Sequence, residues 1–144
     1  KVIYIGSDHA GFKMKSAFLK ALKEKNIEFV DLGTQSEESC HYPEFASAVA
    51  KKVSAENAKG LLVCGSGIGV SMVANRYKGV RAALCRTVEE AKLSRQHNNS
   101  NVLCLGERIT EQNLAEEIFE AWLTTEFEGG RHQNRIDLFD QLGE

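Results

Sequence analysis

Five short apolar runs, separated by helix-length amphipathic segments, constrain this chain more than any other feature. The runs cover residues 2–5, 28–30, 61–64, 80–84 and 102–105. Most are continuous rather than alternating, the pattern of strands covered on both faces. The first predicted helix covers about residues 11–25, with Phe12, Leu19 and Leu22 on its apolar stripe and Lys13, Lys20 and Lys23 in solvent. The second starts near Pro43, a residue tolerated in a first helical turn, and repeats Phe45, Val49 and Val53 at helical spacing. A third helix follows the glycine-rich stretch after Cys64. The fourth opens on Thr87 and Glu90, which fit a capping box. The fifth begins near Thr110 with Leu114, Ile118, Ala121 and Trp122 on one face, and a tail helix spans about residues 130–142.

Strand–helix alternation predicts a parallel sheet with right-handed crossovers and helices on both faces. The expectation is one α/β domain over residues 1–144: a three-layer α/β/α sandwich on a five-stranded parallel sheet, flavodoxin/Rossmann-like, with a C-terminal tail helix. A flavodoxin-like strand order 2-1-3-4-5 puts the topological switch point between the first and third strands.

Bulk properties narrow the function by exclusion. The net charge is −2, so overall electrostatics favour neither nucleic acid nor a membrane surface, and any anion site has to be built locally. No apolar run approaches the roughly 18 residues of a membrane span. The opening residues read as a strand rather than a signal peptide. Cys40, Cys64, Cys85 and Cys104 include no pair at the spacing of a zinc or redox motif. They read as thiols of a reducing, cytoplasmic compartment, most of them small core hydrophobes.

In open parallel sheets, ligands bind beyond the carboxyl ends of the strands at the switch point. Two informative segments fall there: Ser7-Asp8-His9-Ala10-Gly11 and Gly65-Ser66-Gly67-Ile68-Gly69. Successive glycines before a helix let backbone N–H groups approach an anion, although such a stretch also suits a purely structural turn. Familiar nucleotide motifs fail. Val70-Ser71 stands where a Walker loop needs lysine, and Cys85 stands where a dinucleotide fold needs an acidic residue. A cysteine-phosphatase loop needs arginine six positions after Cys64, and Val70 is there.

Cys64 ends a strand and precedes a helix N-terminus, where the dipole favours thiolate, so it is a candidate base or nucleophile. Arg131 and Arg135 share a helix face, and paired guanidinium groups suit a phosphate as readily as they suit solvent. His97-Asn98 lies in a polar loop, and histidine is the side chain best fitted to move protons near neutrality. His41 and His132 have weaker context and read as structural or peripheral.

Four segments in register carry a resemblance: Ser7-Asp8-His9-Ala10-Gly11, Cys64-Gly65-Ser66-Gly67-Ile68-Gly69, Ser94-Arg95-Gln96-His97-Asn98, and Glu128-Gly129-Gly130-Arg131-His132-Gln133-Asn134-Arg135. Together they resemble the B-type ribose-5-phosphate isomerases and the related galactose-6-phosphate isomerase subunits, over essentially the whole chain. The resemblance implies a metal-free and cofactor-free aldose–ketose isomerase acting on ribose 5-phosphate and ribulose 5-phosphate. It implies Cys64 as the base between C1 and C2, His97 with Asp8 in ring opening, and the amides of Gly65, Gly67, Ile68 and Gly69 as an anion hole. His9, Arg108, Arg131 and Arg135 are then expected around the phosphate, with Asn98 as a further substrate contact. Ser66 stands where relatives often carry threonine. It keeps the hydroxyl and loses a methyl.

A shared site is expected on topology. Asp8, His9 and the glycine loop follow strands, whereas His97, Asn98 and the tail arginines follow helices and belong at the opposite edge. A sheet about five residues deep is ~17 Å across, too far for a histidine side chain to span. A two-fold homodimer places one copy's amino edge against the other's carboxyl edge, with the tail helix reaching the partner. The competing readings are a sister isomerase for galactose 6-phosphate or allose 6-phosphate, and a non-catalytic flavodoxin-like binding module.

Overall fold

The computed structural model describes residues 1–143, and in it the five apolar runs form one parallel sheet. The strands are β1 (Ile3–Ser7), β2 (Phe29–Asp31), β3 (Lys59–Cys64), β4 (Ala82–Leu84) and β5 (Val102–Gly106). They lie in the order β2-β1-β3-β5-β4. The expected order 2-1-3-4-5 is therefore corrected at one end, where the last two strands exchange places. Burial gives the physical reason. All five residues of β5 are buried, as a central strand demands, whereas the three residues of β4 are only half-buried and suit an edge. The exchange matters for the site, because Cys64 pairs with Gly106 of β5 and not with the end of β4.

The helices are α1 (Phe12–Glu24), α2 (Tyr42–Glu56), α3 (Ile68–Ala74), α4 (Val88–Gln96), α5 (Gln112–Thr124) and α6 (Arg131–Asp137). Side chains alternate across each strand, so the sheet has a core on each face. Ile5, Leu61, Val63 and Leu103 pack with Phe18 of α1 and Ile118 and Trp122 of α5. Tyr4, Leu62 and Cys104 pack with Val49 and Val53 of α2 and Val70 of α3.

Local signals mostly hold. Pro43 lies in the first turn of α2, and that helix ends on Asn57 in the left-handed conformation. Thr87 Oγ1 accepts the Glu90 N–H at 3.0 Å, while the Glu90 carboxylate reaches back to the N–H of Arg86, one residue before the cap. Two stripes keep part of the expected set, Leu22 in α1 and Ile118 and Trp122 in α5, and differ in the rest. In α1 the buried residues are Met14, Lys15, Phe18 and Leu22, with Phe12 and Leu19 half-buried. In α5 they are Ala115, Ile118, Phe119 and Trp122, and Leu114 is exposed. The tail is two elements, α6 followed by a 3-10 turn at Leu138–Gln141.

Lys15 explains its own burial. Its ammonium donates to Asp31 Oδ1 at 2.7 Å and to the carbonyl of Thr34. A buried cation needs such partners, and this one ties α1 to the connection between β2 and α2. No helix among the described residues is long and apolar enough to cross a membrane.

Candidate active site

The carboxyl edge of the sheet collects Asp8, His9, the Cys64 loop and Arg108. Asp8 follows β1 and is buried, and its Oδ1 accepts the Gly11 N–H at 3.1 Å. His9 Nδ1 accepts the backbone N–H of Cys40 at 3.1 Å. That contact leaves Nε2 as the protonated nitrogen of a neutral ring. Cys40 sits in the connection between β2 and α2, the segment that Lys15 holds through the carbonyl of Thr34.

Cys64 ends β3, and its Sγ accepts the Gly67 N–H at 3.1 Å. Gly67 is forced to be glycine on two counts. Its φ is +80°, and a Cβ would stand 2.6 Å from Leu84 and 2.9 Å from the main chain of Leu105. The hydroxyl of Ser66 accepts the Ile68 N–H at 3.1 Å, so it caps the loop end of α3. Two of the loop's amides are thus already engaged, by a sulfur and by a hydroxyl. Gly69 lies in the first turn of α3, where N–H groups have no partner within the helix. The Arg108 N–H donates to the carbonyl of Gly65 at 3.0 Å, and its guanidinium lies over Gly65, 2.9 Å from where a Cβ would stand. The ring of Tyr42 covers Gly69 in the same way.

The other cysteines differ in kind. Burial pushes the Cys85 thiol up to about 11, and full burial pushes Cys104 well up as well. Both stay protonated at neutral pH and act as packing groups.

The amino edge holds a second cluster. His97 caps the end of α4. Its ring stacks on that of His132, centroids 4.5 Å apart and planes 18° apart. Glu128 Oε1 lies 3.9 Å from His97 Nε2 and 3.7 Å from His132 Nε2. Buried Arg95 holds this edge together by donating to the carbonyl of Thr125 at 3.1 Å, to Asn99 Oδ1 at 2.8 Å and to the carbonyl of Ser100 at 2.6 Å. The Glu128 N–H donates to the carbonyl of Gln96 at 3.1 Å, closing the same junction. Arg131 and Arg135 lie on α6, exposed, and with Arg108 they make no ion pair among the described residues.

Asn98 is exposed and lines a cavity of about 940 Å³ between the end of α3, the end of α4 and the tail. This cavity opens at the amino edge and does not include Cys64. His97, Glu128 and His132 also bring their donor atoms within 4.8 Å of one another, the right chemistry for a divalent cation. Their stacked rings argue against chelation in this arrangement, since no single cation lies in both ring planes.

The expected site residues therefore fall into two groups. Asp8, His9, Gly65, Ser66, Gly67, Ile68, Gly69, Cys64 and Arg108 gather at one edge; His97, Asn98, Arg131 and Arg135 gather at the other. Nothing in the sequence alone marks a role for Glu128, Arg95, Tyr42 or the Cys40 N–H, and His132 has only a peripheral context there. Glu128, Arg95 and His132 stood inside two of the quoted segments, but their partners are side chains and carbonyls that only folding brings near.

Known proteins resemble this chain in sequence and in fold. The profile of the Ribose/Galactose Isomerase family matches residues 3–139. Ribose-5-phosphate isomerase B of Escherichia coli is 45% identical over 143 residues, covering 99% of this chain and 96% of that protein. The structure of Clostridium thermocellum ribose-5-phosphate isomerase B superposes with a TM-score of 0.96 at 41% identity, covering 98% of this chain and 96% of that one. Ribose-5-phosphate isomerase B of Mycoplasma genitalium, solved with bound ribulose-5-phosphate, superposes with a TM-score of 0.93 at 43% identity, covering 97% and 94%. With the family profile matching nearly the full chain and relatives of this identity along its length, the chain belongs to the ribose/galactose isomerase family.

Proposed function

We propose that this chain interconverts D-ribose 5-phosphate and D-ribulose 5-phosphate, at active sites that two copies of the chain share. The observation that carries the reaction is Cys64 at the end of β3, with a backbone N–H on its sulfur and glycine amides around it. The relatives named as ribose-5-phosphate isomerases, one of them holding ribulose-5-phosphate, favour the five-carbon substrate over a longer sugar phosphate.

The reaction begins from the cyclic sugar. His97, with Asp8, moves the anomeric proton; the C1–O4 bond breaks, O4 takes a proton, and C1 becomes an aldehyde. The Cys64 thiolate then removes the proton from C2. Charge develops on the carbonyl oxygen, and preorganised N–H donors of the loop receive it. Gly65 and Gly69 are the donors best placed for this, because Gly67 and Ile68 spend theirs on Cys64 and Ser66. The proton on O2 passes to O1 within the enediolate, and the thiol returns its proton to C1, which leaves a hydroxyl at C1 and the carbonyl at C2. His9, Arg108, Arg131 and Arg135 take the phosphate and Asn98 a substrate hydroxyl, so binding energy far from the reacting carbons fixes their position.

Sharing follows from distance. Gly60 pairs with Val102 at the amino edge, and Cys64 lies four residues further along β3, about 13 Å at the usual rise. His97 precedes Val102, so its ring lies beyond that edge. A two-fold homodimer brings the two half-sites together. Ile68 and Met72, one turn apart on α3 beside the Cys64 loop, are 48% and 66% exposed, and a second copy would cover them. The four free cysteines fit a reducing compartment, and we place the protein in the cytoplasm.

Ribulose 5-phosphate offers a clean test. Its C5 oxygen is esterified, so it cannot close a five-membered ring on C2 and needs no ring opening. In deuterium oxide the enzyme exchanges a C1 proton of this ketose, and Cys64→Ala abolishes that exchange while the fold persists. Near-normal exchange in Cys64→Ala would remove Cys64 as the base. No exchange with the unaltered protein would remove the isomerase reading.

A further inference from the structure

Glu128 and His132 have no part in the reaction as derived so far, yet both lie against His97. The His97 and His132 rings stack at 4.5 Å, and one oxygen of Glu128 lies 3.7 to 3.9 Å from the Nε2 atom of each. A stacked pair of imidazoles beside one carboxylate has a defined electrostatic property. The carboxylate stabilises one positive charge on the pair, and the first imidazolium disfavours a second at this separation. The backbone holds the arrangement, since Glu128 N–H bonds Gln96 and Arg95 clamps the flanking carbonyls of Thr125 and Ser100.

We propose that Glu128, His132 and His97 form one proton-holding unit, in which Glu128 and His132 are positioning residues that set how readily His97 takes and returns the ring-opening proton. This rests on the reading that His97 opens the sugar ring. His132 is the member less ready to hold the proton. Burial lowers its pKa, the neighbouring charges of His97, Arg131 and Arg135 lower it further, and Glu128 alone opposes them. His97 is the more exposed ring of the two. The charged and titratable groups facing the pair are Glu128 from the segment after α5 and Arg131 and Arg135 from α6. From α4 itself Arg95 is turned to Asn99 and Thr125.

The sign of the effect follows. His97 acts as a base in its neutral form, so turnover of the cyclic sugar falls on the acid side as the unit takes up its proton. Glu128 favours the protonated form. In Glu128→Gln the acid limb of kcat against pH with ribose 5-phosphate moves to lower pH. Exchange at C1 of ribulose 5-phosphate, which bypasses ring opening, keeps the unaltered profile. Glu128→Asp, which retains the charge on a shorter arm, moves the limb part of the way.

Titration of the histidine ring protons by magnetic resonance reads the same unit without turnover. The His97 and His132 signals of the unaltered protein each report two coupled steps, and in His132→Asn the His97 signal becomes a simple one-site curve. A limb that stays in place in Glu128→Gln, or histidine curves that ignore both substitutions, would overturn the unit. His97→Asn separates the two levels. If it slows the cyclic sugar and the ketose equally, the ring-opening reading fails; if it slows only the cyclic sugar while Glu128→Gln leaves the limb unmoved, only the present proposal fails.

Discussion

Gly67→Ala tests the physical reasoning at the loop where fold and chemistry meet. The residue sits at φ +80°, and the added Cβ would lie 2.6 Å from Leu84 Cδ1 and 2.9 Å from the Leu105 carbonyl carbon. The left-handed conformation costs a residue with a Cβ roughly 1–2 kcal/mol. Overpacking against a neighbour that cannot move far costs about 1–3 kcal/mol more. Leu84 can turn, but the main chain of β5 cannot, so the sum is about 2–5 kcal/mol. At about 3 °C per kcal/mol for a domain of this size, the melting temperature falls by roughly 6–15 °C. Gly129→Ala is the control, because φ is +71° there and nothing lies within 4 Å of the added carbon. It carries the strain alone, about 1–2 kcal/mol, or roughly 3–6 °C. Both are measured by thermal unfolding followed by circular dichroism, at one protein concentration because association stabilises by mass action. Gly67→Ala also draws the N–H away from Cys64, so exchange at C1 falls further than the lost stability explains. Equal melting temperatures for the two variants would refute the close-approach argument, and full exchange in Gly67→Ala would detach the loop geometry from Cys64.

Two further outcomes are expected. Burial raises the Cys85 thiol in the folded protein from its ordinary 9.0 to about 11, so the unfolded chain releases that proton first as pH rises. The Cys85 contribution is complete below pH 9.0 and is lost by about pH 11, a decline of about 2–3 kcal/mol; urea unfolding across that range reads it, and Cys85→Ala flattens it, whereas an unchanged slope in the variant would contradict it. Replacing Arg131 or Arg135 with alanine raises KM for ribose 5-phosphate about tenfold or more per guanidinium, with substrate binding that weakens as salt rises; a double variant that discriminates phosphorylated from unphosphorylated sugar as well as the parent does would rule out the clamp.

What the sequence made legible follows from which forces are local. The strand–helix alternation, the Pro43 and Thr87 helix starts and the separation of the site onto two sheet edges all came from patterns within a dozen residues. The β4/β5 exchange did not, because it lies in a comparison of two distant runs: residues 80–84 carry Arg81 and two alanines, as an edge strand tolerates, whereas residues 102–105 are apolar throughout, as a central strand demands. In α5, Ile118 and Trp122 are buried as their spacing predicts, but Leu114 is exposed and Ala115 is buried in its stead. At the site, Cys64, His97 and the arginines stood out by chemistry and spacing. Lys15 did not, since a lysine between Met14 and Ser16 signals nothing until Asp31 closes on it. Nor did Glu128 and His132, whose meaning depends on His97 arriving from a distant helix end.

The shared site is the central claim, and mixing two inactive variants tests it most directly. Cys64→Ala destroys the carboxyl-edge half-site of each copy, and His97→Ala destroys the amino-edge half-site. Each protein alone fails to turn over cyclic ribose 5-phosphate. After subunit exchange at equal concentrations, half of the dimers are hybrids, and each hybrid has one site built from two intact halves, so about one quarter of the sites work. Activity is expected to recover to about a quarter of the unaltered level, appearing at the rate of subunit exchange. No recovery once exchange has been verified, or a monomer in solution that turns over ribose 5-phosphate at full rate, would contradict it.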